Sequence, residues 1–137
     1  FWSMGVVGEI FFLAIGRRLF ANTSMATMFV IATLGSIVRW LTLSYAVDVT
    51  VIMLSQLLHG VTFGIAHLAA MRYISENVAD EDTMTVQAIY AAIPFSLAIA
   101  LLTFLSGLFY PDLKENIFIL MAIAVLPVLL LVRSKHI

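Results

Sequence analysis

The stretch VIMLSQLLHGVTFGIAHLAAMRY, residues 51–73, decides the fold class. Arg72 is its one ionised residue, and no proline interrupts it. A bilayer core of ~30 Å needs about 20 predominantly apolar residues as a helix. This run meets that requirement, and its small residues match membrane packing better than a soluble strand. Gly60 and Gly64 stand at GxxxG spacing, with Ala66, Ala69 and Ala70 following. Small residues at such intervals let helices approach closely in lipid, and ordinary packing is the preferred reading of the motif here. Gly5 and Gly8 read the same way.

Outward from this run, four further segments approach the same pattern. They are residues 1–16, stopped by Arg17 and Arg18, then 25–46, 86–110 and 117–132. Asn22, Thr23 and Ser24 offer N-cap oxygens to the second helix. Asp80, Glu81, Asp82 and Thr83 offer them to the fourth, which Pro111 is expected to end. Pro94 lies deep in that helix and predicts a kink, because it removes a backbone donor. The expected fold class is therefore all-α, a membrane protein of five transmembrane helices.

Composition agrees. Of 137 residues, 63% are hydrophobic and 11% charged, and the mean hydropathy is +1.10. A soluble domain is nearer half apolar and one quarter charged. Lipid is thus the expected solvent and partner. A net charge of −1 gives no polyanion-binding signature, so no nucleic-acid partner is expected. With no cysteine there is no disulfide framework and no thiolate metal site. The first residue is Phe1, already inside an apolar run, with no basic region before it. The expectation is a piece of a longer protein rather than a signal peptide.

Positive charge sets the expected orientation. Arg17, Arg18, Arg72, Arg133 and Lys135 fall at one set of helix ends, and Lys114 alone at the other. The first and third connections and the C-terminus are then cytoplasmic. Trp2, Tyr45 and Tyr110 mark the outer interface and Tyr73 the inner one.

Glu9, Arg39 and His59 carry the functional reading. An ionised residue at mid-helix costs about 2.5–3.5 kcal/mol on insertion scales, so each is a functional hypothesis by default. At ~1.5 Å per residue, Arg39 and His59 both lie ~20 Å above the inner interface, and Glu9 roughly 12–16 Å above it. Arg39 keeps its charge and presents a fork of donors suited to a carboxylate. Glu9 can take up a proton when burial raises its affinity for one. His59 can accept, donate or switch charge near neutral pH. A Glu9–Arg39 ion pair that only neutralises itself is the competing structural reading. Three such residues at similar depth on consecutive helices favour function. Gln56, one turn before His59, is expected to face the same cavity. His67, about 80° around the helix from His59, is assigned a structural or gating hydrogen bond. Gln87 and Tyr90 line the cavity or form a packed polar pair.

These residues also carry a family resemblance. Trp2-Ser-Met-Gly-Val-Val-Gly-Glu9, Val38-Arg39-Trp40, Leu58-His59, Gln87-Ala-Ile-Tyr90 and, most specifically, His67-Leu-Ala-Ala-Met-Arg-Tyr-Ile74 resemble the C-terminal half of major facilitator superfamily transporters. The closest branch is the lactose permease-like and nucleoside symporter-like one. The resemblance spans the chain. It implies that the five helices are helices 8–12 of a twelve-helix fold, so that residues 1–137 form a partial C-terminal domain. The N-terminal half and helix seven would be missing partners. It also implies a multi-pass protein of the inner (cytoplasmic) membrane. In lactose permease-like relatives, a Gly-Glu pair, an Arg and a Leu-His pair serve sugar binding and proton coupling. Gly8-Glu9, Arg39 and Leu58-His59 stand where those motifs stand. The acid that follows the His by one turn in lactose permease is here Thr62, so either Glu9 carries the proton or it is carried elsewhere.

The expected function is secondary active transport, as proton symport of a small organic solute such as an aromatic carboxylate. A sugar or nucleoside is the alternative solute. An enzyme is not expected: there is no H-E-x-x-H, no G-x-S-x-G and no cysteine. No metal or cofactor is expected, since His59 and His67 diverge too far around one helix to share an ion. A purely structural membrane subunit would explain the helices but not Glu9, Arg39 and His59.

Overall fold

The computed structural model describes residues 2–133, and every regular element among them is helical. Phe1, Lys135 and the side chain of Trp2, all used in the sequence reading, lie outside the described residues. The helices are α1 (Trp2–Leu19), α2 (Met25–Tyr45), α3 (Val49–Asn77), α4 (Asp80–Tyr90), α5 (Ala98–Leu113), α6 (Ile117–Ala124) and α7 (Pro127–Arg133). A π-helical turn, Ala91–Leu97, joins α4 to α5, and a 3-10 turn, Lys114–Asn116, joins α5 to α6. By length and composition, three helical stretches can cross a membrane: Met25–Tyr45, Val49–Asn77 and the run Asp80–Arg133.

Local chemistry explains most boundaries. Ser24 caps α2, its hydroxyl accepting from the Thr27 amide at 3.1 Å. Asp48 caps α3, its carboxylate accepting from the amides of Thr50 at 2.7 Å and Val51 at 3.2 Å. Those bonds satisfy donors that a helix start leaves orphaned. The acidic run behaves differently from expectation. Ala79 is the N-cap of α4 and supplies no side-chain bond, while Asp80, Glu81 and Asp82 occupy the first turn. They act there through their charge against the positive end of the helix rather than as caps.

The prolines depart from the sequence reading in two places. Pro94 does perturb its helix, as the π-helical turn. A proline cannot donate to the carbonyl one turn back, and a wider turn accommodates the mismatch. The Ser96 hydroxyl donates to the Ala91 carbonyl at 3.1 Å, five residues back. Pro111, by contrast, does not end the helix; α5 continues to Leu113. Proline's fixed φ is helical. The chain turns at Lys114, whose φ of 49° lies in the left-handed region. Residues 117–132, expected as one helix, form two pieces separated by a turn at Val125 and Leu126. Pro127 is the first residue of α7 and has no N–H to return to Ile123. The Ile123 carbonyl instead accepts from Leu126 at 3.1 Å, and bonds of the same short span follow from Val128 and Leu129.

The centre of the fold is α3, packed between α1 and α2, with α6 and α7 against the outer side of α2. The buried core joins Phe12 of α1, Met28 and Ala32 of α2, and Ile65 and Ala69 of α3. The GxxxG glycines are packing positions. A Cβ built on Gly60 would stand 2.5 Å from the Glu9 amide nitrogen and 2.7 Å from the Gly5 carbonyl oxygen. At Gly64 the space is taken by the Phe12 ring. Neither α4 nor α5 contains a buried residue, and Leu101, Phe104 and Leu108 are all exposed.

Two measurements test this architecture. Gly60→Ala should lower stability by about 1–3 kcal/mol, because backbone rather than a flexible side chain must give way. Thermal unfolding in detergent checks it, with Gly107→Ala, where nothing lies within 4 Å, as the benign control. At Asp48, the bonds from Val51 and then Thr50 hold the carboxyl below its ordinary 3.8. Its capping contribution is therefore present above 3.8 and is lost as pH falls through the lowered folded value. The protection of the Thr50 and Val51 amides relative to their intrinsic exchange rates should fall on acidification, and Asp48→Asn should remove that pH dependence while retaining a cap.

Candidate functional site

The site residues come from the three packed helices. Arg39 lies in the third quarter of α2 and is buried, with 7% of its surface exposed. Its guanidinium carbon sits 3.8 Å from the Trp40 ring centroid, a cation–π contact. Its Nε is buried with no hydrogen-bond partner among the described residues. Trp40 in turn stacks on Phe118 of α6 at 5.9 Å and 16°.

His59 is half-buried on α3, on the side facing α1: its Cδ2 would lie 3.7 Å from a Cβ at Gly5. Glu9 is half-exposed on α1, directly after the backbone that abuts Gly60. Glu9 and Arg39 do not form an ion pair; among the described residues the salt bridge is Arg72–Glu76, at 2.7 Å. The self-neutralising pair is thus not present, and the buried cation and the carboxylate remain separate groups on either side of α3. Gln56 is half-buried one turn from His59, where its amide donates to the Ser55 hydroxyl at 3.5 Å, a contact at the limit of hydrogen bonding.

Thr62 is buried, and its hydroxyl donates to the carbonyls of Leu58 at 3.0 Å and His59 at 3.1 Å. Its methyl packs toward Gly35, where an added Cβ would meet it at 2.5 Å. Thr62 is thus a backbone-bonded packing residue between α2 and α3.

The two histidines are linked by a residue the sequence reading passed over. Phe63 stands 6.0 Å from His59 at 39° and 6.0 Å from His67 at 12°, and His67 stands 5.8 Å from Tyr90. Four-residue spacing stacks His59, Phe63 and His67 along one side of α3. Tyr90 closes the row from α4. His67 therefore takes part in a ring ladder, in addition to any gating hydrogen bond. Gln87 and Tyr90 separate: Tyr90 faces His67, while Gln87 lines a pocket with Arg17 and Arg72 at the far end of α1 and α3. The one available signal for Phe63 was its i+4 position between two imidazoles.

Chemically, the three helices provide a buried cation on α2, a half-buried imidazole on α3 and a half-exposed carboxylate on α1. Thr62→Val should be nearly neutral in thermal unfolding, because the lost hydroxyl served only its own helix. Thr62→Leu should cost about 1–3 kcal/mol by driving α2 off α3 at Gly35.

Comparison with known proteins gives two findings. Residues 1–122 match the MFS_1 like family. The chain is also similar to the "Probable 3-phenylpropionic acid transporter" of Escherichia coli (strain K12), with 35% identity over 130 residues. That alignment covers 95% of this chain but 34% of the relative, so the chain spans about one third of the relative's length. No solved structure matches.

Proposed function

The chain belongs to the MFS_1 like family, within the major facilitator superfamily, and from that premise we propose that it is the C-terminal part of a secondary active transporter. In this reading five crossings, corresponding to helices 8–12 of a twelve-helix fold, are made by α1, α2, α3, the α4–α5 run and the α6–α7 run. The N-terminal half and helix seven would complete the solute cavity and cover the exposed faces of α4 and α5. The bias of positive charge to one set of helix ends supports a cytoplasmic C-terminus, with the inner membrane as the proposed location.

The observation that carries the proposal is the buried Arg39. An arginine held in apolar surroundings by one aromatic face, with an unpartnered Nε, is built to receive an anion. The solute class that fits is a small organic carboxylate, and the Escherichia coli relative's name favours an aromatic one such as 3-phenylpropionate. Arg39 would hold the carboxylate, with Gln56 adding an amide donor nearby. Protonation is assigned to Glu9 and His59. Thr62 spends its hydroxyl on backbone carbonyls, so it has no part in proton transfer. Substrate and proton would then share one cavity at the interface of two halves, as alternating access requires.

Proteoliposomes containing the complete transporter test this. A pH gradient should drive uptake of labelled 3-phenylpropionate. Arg39→Ala should reduce apparent affinity by about tenfold or more, because a charge-assisted contact is lost. Glu9→Ala should abolish gradient-driven uptake while leaving solute exchange measurable. Wild-type uptake by both variants, at wild-type membrane abundance, would overturn the site; uptake indifferent to pH would overturn proton coupling.

A further inference from the structure

A second constellation lies at the basic end of the bundle, away from Arg39. A pocket of about 600 Å³ opens between the end of α1, the α1–α2 turn, the last turns of α3 and the middle of α4. Arg17 and Arg72 line it with the Gln87 amide, over an apolar floor that includes Phe20, Met28 and Leu68. No carboxylate side chain lines it among the described residues.

Arg72 is held in place rather than free to wander. Its Nε donates to Glu76 at 2.7 Å and its Nη1 to the Thr23 carbonyl at 2.9 Å, so one guanidinium ties the α1–α2 turn to α3. The rest of its fork remains for another acceptor. Glu76 offsets one positive charge, and Arg17 with its neighbour Arg18 leaves the rim net positive. The acidic first turn of α4, Asp80 to Asp82, is exposed and is not part of the lining.

We propose that this pocket binds the phosphate of an anionic phospholipid, with Arg17 and Arg72 as its two cationic contacts. Guanidinium groups match phosphate with paired donors. Basic pockets between membrane helices on the cytoplasmic side suit anionic head groups. The apolar floor selects a phosphate attached to an apolar body over a free ion. A lipid seated here would brace the α1–α2 turn against α3 and α4, adding to the Arg72–Thr23 bond and the packing of Phe20 on the core. The proposal shares with the transport reading the premises that the chain spans a bilayer and that its basic helix ends are cytoplasmic, and its readout involves no uptake.

The experiment uses the complete transporter in nanodiscs of phosphatidylcholine with phosphatidylglycerol, followed by mild detergent extraction and lipid mass spectrometry. Phosphatidylglycerol should be retained in preference to phosphatidylcholine. Arg17→Gln should cut that retention about fivefold, while Arg133→Gln, outside the pocket, should leave it unchanged. Arg17→Gln keeps the Arg72 anchor, so a folded variant is available even if Arg72→Gln does not fold. Equal retention of both lipids, or no change in Arg17→Gln, overturns the site. Displacement of the lipid by millimolar inorganic phosphate would show that the free anion suffices, and would overturn the assignment to lipid.

Discussion

Everything at the candidate site depends on how closely α1 approaches α3. Gly60 has no side chain, and the backbone of α1 at Gly5, Gly8 and Glu9 fills the space a Cβ would need. In lipid no hydrophobic effect draws helices together, so close van der Waals packing must do so. The same contact fixes depth. It sets the Glu9 backbone against Gly60, one residue from His59. The proposed acid and imidazole are therefore held at one level by a glycine, not by a bond between them. Gly64 extends the seam by receiving Phe12, which also joins α1 to the core formed with α2.

On the other side of α3, Arg39 poses the opposite problem. A charged residue at mid-membrane costs about 2.5–3.5 kcal/mol on insertion scales, whereas a cation–π contact recovers only about 0.5–2 kcal/mol. Trp40 therefore offsets part of the cost and leaves a remainder. No carboxylate among the described residues supplies it. Trp40 also stacks on Phe118, so the packing of α6 against α2 is tied to the surroundings of the guanidinium.

Helix existence was legible because lipid imposes long apolar runs, and Ser24 stood among the cap candidates by residue type alone. The effects of proline were not. Pro94, Pro111 and Pro127 are equally unable to donate, yet one sits in a π-helical turn, one is absorbed within α5, and one begins a new helix after a break. What differs is where each orphaned carbonyl finds a donor, such as Leu126 for Ile123, and that is settled after the chain folds. Lys114 had no signature as a turn residue, since lysine rarely adopts positive φ. The role of Thr62 was also hidden. A threonine at the position of an acid suggests lost chemistry, while the structure shows a methyl fitted to a glycine on the next helix. Phe63 was overlooked because an aromatic in a membrane helix is ordinary; only its place between two imidazoles gives it meaning.

The irregularities are unevenly distributed, and that has a physical consequence. From α1 to α3 the helices are unbroken and share the buried core. After Ala91 come a π-helical turn, a left-handed lysine and a two-residue break, in a region whose α5 buries nothing. Regions with few buried apolar contacts open at the lowest free energy. An alternating-access transporter needs both properties, a rigid body to hold the site and helices whose packing can change around it. The first three helices have the rigidity to keep Glu9, Arg39 and His59 in register. Among the described residues, the α4–α5 run meets that body through α4 against α3, where Tyr90 closes the row of rings. A helix held at one end, with a proline-centred wide turn just beyond the point of attachment, has freedom to swing relative to that body.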